Sequence, residues 1–273
     1  MSSVAVSDDL ERVAGKLVGL TSRRDPGSAP GGAMRWRPPL AEPAVAAWEA
    51  EHGVVLPEDY RAFITRVAGS GTRPFHGLRE LGVPDRDNDL SHLDPGRPFP
   101  CTFTRPLVCD PADEDPYWDA LERGEADRGW IPLCTEGCGM DTILVVAAAD
   151  PEVRGTVWYF DLANDCGIFP MVHPTTRRPL RFLEWLELWL DADAAGELDF
   201  GGIHLVPPEL FPVFPSSRPQ RCLLIAHRLE AQSLQFSLPG YFGAKLITNC
   251  CEGGGFHGDP RADRQHLRAA NDC

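Results

Sequence analysis

The stretch 129-GWIPLCTEGCGMDTILVVAAADPEVRGTVWYF-160 decides the fold. Residues 142–149 form an unbroken apolar run that begins with β-branched side chains. Asp150, Pro151 and Gly155 then signal a turn, and 156–160 resumes as Thr-Val-Trp-Tyr-Phe. Two such runs joined by a short Asp/Pro/Gly segment predict an antiparallel hairpin. The first run has no polar side, which predicts an inner strand covered on both faces. Trp130-Ile131-Pro132-Leu133 predicts a third strand leading in, with Gly137-Cys138-Gly139 as its turn.

Helical patterns lie on either side. Leu10, Val13, Leu17 and Leu20 recur at three- and four-residue steps, with Ser7 placed to cap and Asp8 and Asp9 suited to the first turn. Residues 22–40, full of Pro, Gly, Ser and Arg, predict a loop. A second helix is expected over 43–52, ended by Gly53, with Ala44, Ala47 and Trp48 inward. In LPEDYRAFITRVAGSG, Pro57 suits a first helical position. Tyr60, Phe63, Ile64 and Val67 make one apolar stripe, closed by Gly69 and Gly71. Residues 74–78 predict a short edge strand. Residues 82–128 are acidic and proline-punctuated, with a short helix over 117–123. Residues 166–178 read as irregular. Leu180, Phe182, Leu183, Leu186, Trp189 and Leu190 outline a closing amphipathic helix.

The chain has 273 residues, enough for a sizeable core, and a formal charge of −14. From Gly201 onward seven Arg/Lys meet six Asp/Glu, so the first 200 residues carry −15. All seven tryptophans also lie in that part, which predicts a domain over 1–200 and a separate extension over 201–273, partly disordered. Such acidity excludes nucleic acid as a partner, because phosphates need a basic face. No apolar run approaches the ~20 residues of a membrane span and no export signal is visible, so a cytoplasmic protein is expected. Nine irregularly spaced cysteines are then expected as reduced thiols.

The chemistry-bearing patterns are few. Asp85-x-Asp87-x-Asp89 has the start of a calcium loop, but Leu90 replaces the required glycine and Gly96 the terminal glutamate. Cys134-x-x-x-Cys138, with Cys166 and His173 as completions, lacks the second paired knuckle of a structural zinc site. Cys250-Cys251 with His257 is no better. No nucleophile elbow, His-Glu-x-x-His or phosphate-binding glycine loop occurs, so neither a catalytic residue nor a cofactor is expected.

Leu56-Pro57-Glu58-Asp59-Tyr60, Gly69/Gly71 and Phe75-x-Gly77-Leu78 together resemble the opening of the SUKH superfamily. These are bacterial immunity proteins of the Smi/Knr type, related to the yeast cell-wall assembly regulator. Trp130 to Leu133, the 137–139 turn, the Leu144–Val146 strand, Gly155-x-Val157-Trp158 and Phe182-x-x-Trp185-x-x-x-Trp189-Leu190 follow in that family's order. The resemblance covers roughly residues 5–193. It implies an α+β fold, a largely antiparallel sheet packed with helices, and a binding activity rather than catalysis: neutralisation of a toxin domain such as a nuclease or deaminase. The expected contact residues are then Asp85, Asp87, Asp89, Asp113, Glu114 and Asp115, with Trp118 as an aromatic anchor among acids. The expected partner is a protein, a basic toxin domain. A regulatory or scaffolding protein of the same fold, and a metal or thiol enzyme using Cys134 and Cys138, are the alternatives.

Overall fold

A computed structural model describes residues 3–21, 35–83, 92–110, 115–137, 139–162, 166–197, 205–207 and 210. The central hairpin is present as predicted. Strands β4 (Trp130–Gly137), β5 (Met140–Val145), β6 (Val157–Asp161) and β7 (Gly167–Pro170) pair antiparallel with β3 (Leu107–Val108) in the order β3-β7-β6-β5-β4. The helices are α1 (Ser3–Thr21), α2 (Glu42–His52), α3 (Glu58–Arg66), α4 (Asp115–Glu122) and α5 (Phe182–Ala195). A separate ribbon pairs β1 (Trp36–Arg37) with β2 (Ser70–Gly71). The fold is α+β.

Period-2 alternation splits the sheet between two cores. Leu144, Val146, Val157, Tyr159 and Phe169 face α1, α3 and α5. Ile143, Val145, Trp158, Phe160 and Ile168 face the other way. There they meet Phe99 and Ala126, with Leu121 of α4 and Phe103 half-buried against them. Phe99 meets the Trp158 ring edge-on at 5.0 Å and Phe103 stacks on it at 5.9 Å. Most of the acidic 82–128 region that is described therefore covers the second sheet face. Residues 143–146, apolar and buried on both faces, need that cover.

The Leu-Pro-Glu-Asp-Tyr signature is explained by packing. Leu56 and Tyr60 are core residues, and Pro57 occupies the N-cap of α3. Buried Asp59 accepts the Tyr60 N–H at 2.9 Å and the Leu183 N–H at 3.4 Å. One carboxylate thus serves the first turns of both α3 and α5. Against α5 lies α1, joined by Arg12 to Glu187 at 2.6 and 2.7 Å and by Lys16 to Asp191 at 2.5 Å.

Several expectations are corrected. Ser7 does not cap α1: Val6 extends the buried stripe one turn earlier, so the helix begins at Ser3 and Ser7 lies inside it. On α2, Val45 is the buried residue, while Ala44 and Ala47 are exposed. Residues 74–78 form a turn rather than a strand, yet His76 and Arg79 still donate to the Thr135 and Leu133 carbonyls at 3.2 and 2.8 Å. They cover the β4 edge without joining it. Trp36 and Arg37 leave the expected loop to form β1, because the Trp36 ring fills the space over Gly71. Within the stretch read as irregular, β7 forms, since Ile168 and Phe169 serve the two cores in turn. Cys101, Cys109 and Cys134 are buried thiols, but Cys166 is disulfide-bonded, contrary to nine reduced thiols. Spacing in sequence carries no information about which sulfurs meet.

Past α5, Leu205 and Val206 are buried in the helix-side core, and Leu205 C=O accepts the Val172 N–H at 2.6 Å. The rest of the expected extension lies largely outside the described residues. Among the described residues, no helix is long and apolar enough to cross a membrane.

Candidate partner-binding face

Of the seven expected contact residues, Asp85, Asp87, Asp89, Asp113 and Glu114 lie outside the described residues. Asp115 is the first residue of α4. Trp118 is half-buried on the same helix, its ring edge-on to Tyr117 at 5.2 Å. Tyr117 and Ala120 are the buried positions of α4, so packing of the helix leaves Trp118 to one side.

The stems of the first acidic segment are placed. On its N-terminal side, Gly82 has φ +72°, and a Cβ there would meet Trp48 Cδ1 at 2.8 Å. On its C-terminal side, Gly96 lies so close to the His52 carbonyl that a Cβ would clash with it. Both stems therefore press against the C-terminal half of α2. Trp48 and His52 are stacked there, ring centroids 4.3 Å apart and 22° from parallel. His52 Nδ1 donates to the Trp48 carbonyl at 2.9 Å.

Residues 92–96 join the turn after α4 through backbone hydrogen bonds. Asp94 N–H donates to the Asp127 carbonyl at 2.9 Å, and Gly129 N–H to the Asp94 carbonyl at 2.9 Å. His92 Nε2 stands 3.6 Å from Asp127, so it forms an ion pair when protonated. Residues 92–96 and the 123–129 turn after α4 thus belong to one layer over the second sheet face.

The cysteines offer little chemistry. Burial pushes the Cys101 thiol up to about 12, partly offset by a backbone hydrogen bond from Leu107 and the Arg128 charge. Burial also raises Cys134 well above its ordinary value. Burial thus favours the neutral thiol over the nucleophilic thiolate at both positions. Cys138 lies outside the described residues, and His173 Nδ1 accepts the Thr175 and Thr176 N–H groups, each at 3.2 Å. Among the described residues, no group of three or more His, Cys, Asp or Glu side chains is arranged to hold a metal ion.

The residues that position this face, Trp48 and His52, were not singled out by sequence. Trp48 was expected to face inward with Ala44 and Ala47, and it does pack half-buried against the helix-side core. The available signal was the pair Trp48/His52 at i, i+4, the spacing at which helix neighbours touch.

Compared with known proteins, residues 39–176 match the SMI1 / KNR4 family (SUKH-1). Comparison with curated proteins and with solved structures gives no match.

Proposed function

The chain belongs to the SMI1 / KNR4 family (SUKH-1), and on that premise we propose that it is a non-enzymatic, cytoplasmic immunity protein that neutralises a cognate polymorphic toxin. The observation that carries this reading is the concentration of acid. The first 200 residues hold the whole excess of −15, with Asp85, Asp87, Asp89, Asp113, Glu114 and Asp115 in two short clusters. A nuclease toxin must present basic residues to hold phosphates. Carboxylates of an inhibitor can occupy that same surface, and their long-range field speeds encounter. Trp118 supplies an aromatic contact beside Asp115 in this reading.

Binding alone is enough for this function. Burial raises the Cys101 and Cys134 thiols above their ordinary values, which supports a binding role over one in which Cys134 acts as a nucleophile. The experiment is co-purification of the tagged full chain from its own cells, with mass spectrometry of what accompanies it. A basic toxin domain, whose nuclease or deaminase activity the purified chain then abolishes at equimolar amounts, supports the proposal. Reproducible recovery of kinases or cell-envelope proteins instead, with no toxin domain, would replace it with a regulatory scaffold.

A further inference from the structure

Cys166 is the one described cysteine held in a disulfide, while Cys101, Cys109 and Cys134 carry thiols, so its partner lies outside the described residues. One of those thiols stands against it. The β3–β7 ladder pairs Leu107 with Ile168 and Val108 with Gly167, and one step further along that register puts Cys109 opposite Cys166. Cys109 N–H donates to the Cys166 carbonyl at 3.2 Å, which carries the pairing through that last step. Both residues are buried, Cys109 at 1% exposure and Cys166 at 0%.

Directly opposed residues of a hydrogen-bonded antiparallel pair have Cα atoms about 5.5 Å apart, inside the roughly 4.4–6.8 Å that a disulfide spans. The two cysteines therefore meet the backbone spacing of a bond that they do not make with each other in this structure. Their place in the sheet gives such a bond a consequence. β3 is an edge strand of two residues. It directly follows the segment whose Phe99 and Phe103 rings pack on Trp158 and cover the second sheet face.

We propose that Cys109 and Cys166 form a thiol–disulfide exchange pair, in which Cys109 displaces the present partner of Cys166 and moves the disulfide onto the edge strand. Cys109 gives up its proton, and its thiolate Sγ forms a bond to Cys166 Sγ as the existing S–S bond breaks. The electron pair of that bond leaves on the displaced sulfur, which takes up a proton. One sulfur is oxidised and one is reduced, so no outside oxidant or reductant enters, and the step is the same whichever cysteine is displaced. The new bond pins β3 to β7 covalently, and with it the end of the 92–106 cover. The chain then has two covalent isomers that differ in how firmly this edge of the sheet is held. This device is independent of the immunity reading.

The test is a disulfide map of the full chain, purified without reductant, incubated at pH 6 and at pH 7, quenched in acid and alkylated while denatured. Peptides are separated without reduction and fragmented to place each bond. A Cys109–Cys166 linkage is expected to grow in beside the original Cys166 bond, about tenfold faster at pH 7 than at pH 6, because the thiolate is the attacking species. Cys109→Ser should abolish that linkage and leave the original bond. Cys134→Ser, on the strand at the opposite edge of the sheet, should change nothing. The wild-type map decides by itself if a variant fails to fold. Cys109 fully alkylated at both pH values would overturn the proposal. Cys166 recovered entirely as a thiol would also overturn it, because there would be no bond to exchange. So would linkage of Cys166 to Cys101 or Cys134 as often as to Cys109, the pattern of scrambling in an unfolded chain.

Discussion

Asp59 and Glu187 are carboxylates at helix seams whose titrations are displaced in opposite directions. Burial raises Asp59 above its ordinary value, although the Tyr60 and Leu183 N–H groups and the Arg181 charge pull the other way. A carboxyl raised on folding stabilises fully below its unfolded value and loses that contribution as pH rises through its folded value. Ionised Asp59 is thus a cost at neutral pH. Urea unfolding at pH 7 should place Asp59→Asn between the wild type and Asp59→Ala, the last less stable than the wild type by about 1–2 kcal/mol, because Asn offers one acceptor oxygen for the two N–H groups and Ala none. Glu187 is held down at about 2, chiefly by the Arg12 hydrogen bond and then by Lys16. Its contribution is present above the ordinary carboxylate value and is lost as pH falls from about 4.5 towards 2. Glu187→Gln should cost about 1 kcal/mol at pH 7, limited by the solvent around half-exposed Arg12, and should flatten the acid limb of the stability curve.

Gly129 sets a different limit at the same scale. It has φ +79°, and a Cβ there would lie 2.6 Å from the Ala147 carbonyl and 2.6 Å from Phe99 Cα. Gly129→Ala should therefore lower stability by about 2–4 kcal/mol in a urea titration, with the loss centred on the contact between residues 92–110 and β5.

Among the elements, those with a long periodic signal were legible and the short ones were not. The stripe Leu10, Val13, Leu17 and Leu20 announced α1, and Tyr60, Phe63 and Ile64 announced α3. Val6 was missed because capping by Ser7 offered an equally good local start. On α2 the alanines gave helix propensity but no direction, so Val45 was passed over as the buried residue. The strands β3 and β7 hold two and four residues, too few to show alternation. The return of Leu205 and Val206 to the core comes after residues 198–204, which lie outside the described set, and just before Pro207 and Pro208, so nothing local marked it. Val206 is 1% exposed in the helix-side core, and Val206→Asp should destabilise the full chain by about 2–4 kcal/mol, read as a fall in urea midpoint. An unchanged midpoint would detach that segment from the fold.

At the scale of the whole molecule, the family signature and the acid distribution were both readable, for different reasons. The signature is a set of packing requirements: a proline to start α3, a buried carboxylate to serve two helices, and aromatics for the two cores. Those fix a fold. The acid clusters were located by sequence as runs of charge, but sequence could not say what lies beside the residues that flank them. The structure adds that the stems of the first cluster rest on Trp48 and His52, a relation between residues more than 30 positions apart. An acidic binding face also has a bulk consequence. Association with a basic partner should slow as salt rises, because the Debye length shrinks from about 10 Å at 0.1 M towards 3 Å at 1 M.

That consequence supplies the most direct measurement. The recovered toxin domain would be titrated at low and high salt against the wild-type chain. The same titration would use a variant in which Asp85, Asp87, Asp89, Asp113 and Asp115 become Asn and Glu114 becomes Gln. An acidic neutralising face predicts about tenfold or greater weakening in the variant, with most of the salt dependence gone. Equal affinity and an equal salt slope in the two proteins would contradict it.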